Sequence, residues 1–174
     1  MDAQQLSLAL PPDDPALARE LAAGAVAGVV ATLAMSTVML GAQRIGLLGE
    51  QPPRKIADAL LDELLPDADD QTRKLGTALV HLGIGAGGGA VHQIGRRVAG
   101  RPEPAVAWGA ATGGAFWAVN YWVLAPLSGL MPPPGRDRPA RPLVMLAAHF
   151  VWGAVSAAVG DALGAVKPRG LTTR

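Results

Sequence analysis

The sequence predicts an all-α, polytopic membrane protein. Four transmembrane helices are expected as two parallel two-helix repeats, with one amphipathic helix lying in the interface. Three observations lead there. Charge crowds into short segments and leaves four long gaps nearly free of it. One connection between the gaps repeats its apolar residues with helical period. Elements of the first half of the chain recur, in the same order, in the second.

Composition sets the class. With 174 residues the chain has room for one domain. Half of it is apolar and only 17% is charged, against about 25% in an average soluble protein. Mean hydropathy is +0.28. This apolar content excludes a disordered chain, and the lack of cysteine excludes a disulfide scaffold. A net charge of +1 gives no basis for nucleic-acid binding through bulk charge.

Residues 1–20 form a leader with Asp2, Asp13, Asp14 and Glu20 against the single base Arg19. A cleaved signal peptide wants a basic start and a short apolar run, so the segment that follows reads as a retained anchor. The leader is expected to be mobile up to Asp14, where Asp-Pro can start a helix. The first gap, 21–43, holds 23 residues without formal charge. The second, 75–95, has only two histidines, the third is 105–125, and the fourth, 143–166, carries Asp161 alone. A helix rises about 1.5 Å per residue, so about 20 residues cross the hydrocarbon core. Soluble amphipathic helices need a charged face, and these stretches have none. The transmembrane domain is therefore set at 21–166, and 167–174 is a polar tail.

Between the first two gaps, residues 54–65 place Ile56, Leu60 and Leu64 in one row and Ala57, Leu61 and Leu65 in the next. Lys55, Asp58 and Asp62 fall on the other side, and Pro66 ends the run. Such a helix beside a bilayer belongs in the interface, and it can also cap the end of the bundle. Asp67, Asp69 and Asp70 are not a calcium loop, because Thr72 and Ala78 stand where Gly and Glu are needed. Asp69 or Asp70 instead caps the following helix. Gly83-Ile84-Gly85-Ala86-Gly87-Gly88 fits a dinucleotide fingerprint in letters only, because it lies inside an uncharged span with no strand before it. Its glycines read as places of close helix approach.

Repeat one is 21–95 and repeat two is 105–166. Gly24 and Gly28 match Gly109 and Gly113. Gly46-Leu47 with Pro52-Pro53-Arg54 matches Gly129-Leu130 with the prolines before Arg136. His81 with Gly85 matches His149 with Gly153. Two spans per unit make the repeats parallel. His81 and His149 then lie at one depth, facing inward on small-residue faces. Asn120, Ser36 and Thr37 are expected in the same polar cluster. His92 and Asp161 form a second polar layer nearer the opposite face. Polar groups at such depths are costly and face a bundle interior or cavity.

The Gly-rich first span, the Gly-Leu…Pro-Pro-Arg loop with its amphipathic helix, and the His-x-x-x-Gly spans resemble the uncharacterised YagU-type family of small bacterial inner-membrane proteins. The resemblance covers roughly residues 21–163. It implies a bacterial cytoplasmic-membrane location, carries no established activity and transfers no catalytic residue. Basic residues divide seven against eight between the two faces, but the second loop is the shortest and most basic. That points to both termini in the cytoplasm.

Three function classes follow. The first is a membrane protein without a catalytic site, either a small channel or transporter or an accessory or structural subunit. Its partners would be the lipid bilayer and a second copy or a larger membrane complex. The second is a b-type haem protein with His81 and His149 as axial ligands. The third, an enzyme, lacks paired intramembrane carboxylates, cysteine, or a serine set beside a base. Metal binding is not expected either, because zinc wants three or four ligands and the polar layers hold two each.

Overall fold

The computed structural model describes residues 14–48, 52–129 and 139–164, and every regular element among them is helical. The elements are α1 (Pro15–Arg44), α2 (Pro52–Leu64), α3 (Asp70–Val98), α4 (Ala105–Val119), a π-helical turn (Asn120–Leu124), α5 (Ala125–Ser128) and α6 (Arg141–Ala162). Two of them, α1 and α6, are long and apolar enough to cross a membrane. In α3, 29 residues long, glycines, two histidines and charged ends dilute the apolar character. The opposite holds for α4, which is strongly apolar but keeps α winding for only 15 residues. The polar tail 167–174, most of the leader and the Pro132–Arg136 element of the second repeat lie outside the described residues.

Helix α1 begins inside the expected leader. Asp14 accepts a hydrogen bond from the Ala16 N–H at 2.9 Å, and Pro15 follows at the first helical position. Residues 15–20 are thus helical, and Glu20 is buried. The Arg97 guanidinium donates to Asp14 at 2.7 Å and ties this first turn to the end of α3. That bond, followed by the Ala16 N–H, holds the Asp14 carboxyl below its ordinary 3.8. A depressed carboxylate stabilises the fold above its ordinary value and loses that contribution as pH falls through its folded value. The amides of Ala16 and Ala18 should therefore lose hydrogen-exchange protection on acidification below pH 3.8. Asp14→Asn should remove that pH dependence. Protection that never falls on acidification below pH 3.8 in the parent protein would contradict the tie.

Helix α3 starts at Asp69, whose carboxylate accepts the Thr72 N–H at 2.7 Å. Its far end closes through Gly100 (φ +76°) and Arg101 (φ +62°), with the Arg101 N–H on the Arg96 carbonyl at 2.7 Å. A left-handed arginine carries backbone strain, and here it aims the guanidinium at Glu20, 2.7 Å away.

Helix α1 packs along α3 and α6, and α6 packs along α4. By contrast, α3 and α4 have almost no close backbone approach. The start of α1 and the ends of α3 and α6 gather at one end of the bundle, joined by Arg97–Glu20 and Arg96–Asp161. The core is built of Ala31, Met35, Met39 and Ala148 around Trp152, whose ring meets Phe116 edge-on at 5.4 Å. Large aliphatic side chains point outward from every long helix, among them Leu33, Leu40, Leu79, Ile84, Val106 and Leu143.

Two residues longer at its start than expected, α2 lies along α3. Leu61 sits where a side chain on Gly76 would be, and Arg73 of α3 pairs with Asp62 at 2.8 Å and Asp58 at 3.5 Å. Ala57, in the same row as Leu61, is buried. Leu60 and Leu64 of the other row stay exposed.

Candidate functional site

Glycine fixes the geometry of the bundle. A Cβ on Gly28 would run into the Gly85 carbonyl and the Gly89 Cα, and one on Gly113 would run into the His149 carbonyl and the Gly153 Cα. Gly24 lies against Gly89 in the same way, and Gly109 against Gly153. Backbones therefore touch directly in both pairs, α1–α3 and α4–α6. On the repeat expected from the sequence, these contacts would pair Gly89 with Gly153 and Gly85 with His149. The sequence pairing of His81 with His149 is thus displaced by one helical turn. The cause is the run of alternating glycines from Gly83 to Gly89, which offers several equally good letter matches but only one steric fit.

The first expected polar cluster forms in part. Ser36 Oγ lies 3.5 Å from His81 Nδ1, and the His81 and His149 rings are within electrostatic reach of each other. His149 Nδ1 is 2.7 Å from the Met145 carbonyl, which can only accept, so that nitrogen carries the proton. Asn120 and Thr37 stand apart from the cluster. Both are exposed, and each donates to its own helix, Asn120 to the Phe116 carbonyl at 2.8 Å and Thr37 to that of Leu33 at 3.1 Å. Asn120 opens the π-helical turn, where Trp117 and Tyr121 stack at 5.2 Å. An unexpected polar link lies deeper. Thr32 donates to the Gly28 carbonyl at 2.8 Å and accepts the Trp152 indole N–H at 3.2 Å, joining α1 to α6.

The second layer is more developed than the sequence reading. Arg96, one turn beyond His92 on α3, joins Asp161 to this end of the helix. Arg96 is completely buried, and its Nη1 donates to Asp161 at 2.6 Å. Glu103, largely exposed, stands 3.7 Å from Nη2. His92 Nδ1 is 2.9 Å from Thr112 Oγ1, and Thr112 donates its own hydroxyl proton to the Gly109 carbonyl at 2.9 Å. The hydroxyl must therefore accept from Nδ1–H, which leaves His92 Nε2 as an unprotonated acceptor. Six buried polar atoms of this layer make no hydrogen bond among the described residues: His92 Nε2, Gln93 Nε2 and Oε1, Arg96 Nε and Nη2, and Ser156 Oγ. Gln93 fills the space left by the missing side chains of Gly24 and Gly160, which places its amide between α1 and α6.

Arg96, Gln93 and Thr112 were not among the residues singled out by sequence. Arg96 looked like part of a basic loop. Its spacing of four from His92 was the available signal, because that spacing puts both on one helix face. Next to this layer, Arg97 and Arg101 both pair with Glu20, and Arg97 also with Asp14. The Asp14 hydrogen bond is the first reason that the Arg97 guanidinium is held charged above its ordinary value. Comparison with family models, curated proteins and solved structures finds no match to this chain.

Proposed function

We infer that the chain is an integral membrane protein crossing the bilayer four times, and that it moves a small solute or ion rather than transforming one. The observation that carries this reading is the inverted distribution of side-chain size. Alanine and glycine fill the contacts between helices, while leucine, isoleucine and valine face outward on all four long helices. In water this arrangement would forfeit the main driving force of folding. In lipid, helices associate through close backbone packing of small residues.

The glycine contacts shared by α1–α3 and α4–α6 support two parallel repeats. The aromatic group Trp117, Tyr121 and Trp122 near the end of α4 fits a headgroup belt opposite the Arg97–Arg101 end. The outward Leu60 and Leu64 of α2 suit a helix lying in the interface. The buried layer around Arg96 favours solute passage over a purely structural role, since such groups inside a membrane are costly and mark pathways. The sequence resemblance to the YagU-type family supports a bacterial inner-membrane location, and the short basic second loop supports cytoplasmic termini. A second reading, b-type haem held by His81 and His149, rests on the protonated His149 Nδ1, which leaves Nε2 free to ligate. A purified sample without a Soret band removes it.

The natural lack of cysteine allows a direct topology test. Gln71→Cys and Ala99→Cys, both at exposed positions at opposite ends of α3, should react with a membrane-impermeant maleimide from opposite sides of the membrane. The protein should resist alkaline extraction. Labelling of both positions from the same side, or release by alkali, would overturn the four-span reading.

A further inference from the structure

The layer around Arg96 has more buried polar groups than protein partners. More than nine in ten buried polar atoms in folded proteins are hydrogen-bonded, yet six atoms of four side chains at this end of α3 and α6 make no hydrogen bond among the described residues. All four side chains are almost completely buried: His92 and Gln93 at 2% exposure, Ser156 at 1% and Arg96 at none. Their unused capacities form a pattern. Arg96 spends Nη1 on Asp161; its Nε–H is unused, and Nη2 makes no hydrogen bond, with the Glu103 carboxylate 3.7 Å away at the edge. Those two nitrogens form the fork that grips a carboxylate with two parallel bonds. The Ser156 hydroxyl and the Gln93 amide N–H add donors. The one unfilled nitrogen lone pair belongs to His92 Nε2.

Charge completes the argument. Arg96 and Asp161 already cancel. Glu103, from the α3–α4 connection, adds negative charge at the edge, and the Thr112 and Ser156 hydroxyls add none. A bare anion would leave the layer with an uncompensated negative charge in low dielectric. An anion that arrives with one proton leaves the charge unchanged.

We propose that this layer is a binding site for a small monocarboxylic acid, with the carboxylate on the Nε/Nη2 edge of Arg96 and the acid's proton on His92 Nε2. The proton leaves the carboxyl oxygen or bulk water and forms the second N–H bond of the imidazole, with no other bond changed. Entry is through the α3–α4 side, the neighbouring pair without glycine packing, bridged at this level by His92–Thr112 and Arg96–Glu103. The site deepens the transport reading and rests on it for its role, which becomes symport of a carboxylate with a proton.

The test uses the full chain in detergent with acetate and propionate as probes. Titration calorimetry at pH 6 in buffers of different ionisation enthalpy counts the protons taken up. The expected result is saturable binding with uptake of about one proton per carboxylate, and affinity falling about tenfold per pH unit around that pH. Arg96→Lys, which keeps the charge and loses the fork, should weaken binding about tenfold or more. His92→Gln should abolish proton uptake and leave weaker, pH-independent binding. A thermal melt of each variant identifies any that fail to fold. Absence of saturable binding by the parent protein, binding without proton uptake, or unchanged affinity in folded Arg96→Lys would each overturn the proposal. These readouts need no bilayer, so failed binding with intact four-span labelling rejects the site alone. Failed labelling with intact binding rejects the membrane reading alone.

Discussion

Gly153→Ala should destabilise the bundle severely, while Gly87→Ala should leave it unchanged or slightly more stable. A Cβ at Gly153 would overlap the Gly109 carbonyl and crowd the Gly113 Cα, and both are backbone atoms that cannot turn aside. The α4–α6 pair would have to separate along its length. Overpacking of a rigid contact costs about 1–3 kcal/mol and sometimes more, and the largest values are expected where backbone meets backbone. Gly87 faces open space, so alanine there adds no clash and gains about 1 kcal/mol of helix propensity. Unfolding of both variants in detergent, followed by circular dichroism, gives the comparison. Equal stability of Gly153→Ala and the parent protein would show that the helix pairs are not held by backbone contact. Gly89→Ala, where a Cβ would meet the Gly24 carbonyl and the Gly28 Cα, tests the equivalent contact of the α1–α3 pair, and the two should behave alike if the pairs are repeats of one design.

The second large effect concerns the Arg96–Asp161 pair. Asp161→Asn leaves a completely buried guanidinium with only the exposed Glu103 carboxylate near it, at 3.7 Å. Removing one partner of a buried pair costs about 3–5 kcal/mol. The low end is expected here, because the Asp161 side chain keeps 37% of its exposure. Replacing both partners, as Arg96→Met with Asp161→Leu, should recover most of the loss, because no charge is then left buried. The double-mutant cycle gives the coupling energy directly. Losses that simply add would mean that the two side chains do not interact. The double variant should also fail to bind acetate while remaining folded, which separates the stability role of the pair from its binding role.

The helical class of this chain was set by local pattern. Long uncharged stretches with end caps favour helix, and every regular element among the described residues is helical. The Asp14-Pro15 start, the Asp69 cap and the Pro66 stop are local signals, and each appears where the residues put it. The same letters also identified the glycines that pack. Which glycine meets which was not legible. Gly83, Gly85, Gly87, Gly88 and Gly89 give a sequence comparison several registers, and only the fit of one backbone against another selects Gly89 as the partner of Gly24 and Gly28. The third span is helical through residue 125 as expected, but the surroundings of Asn120 were not legible for a related reason. Nothing local marks the change to π winding that leaves Asn120 exposed and bonded to its own helix.

The polar layer shows the division most clearly. His92 and Asp161 could be placed at one level from their positions along their helices, because rise per residue is a property of the helix itself. Arg96 could not. Its charge put it among the loop bases, and only the approach of α6 brings Asp161 within 2.6 Å and closes the layer over it. Burial of a charge is decided by what surrounds it. Sequence fixes how far a side chain lies along its own helix, whereas the packing of neighbouring helices determines whether it meets water, lipid or a counter-charge.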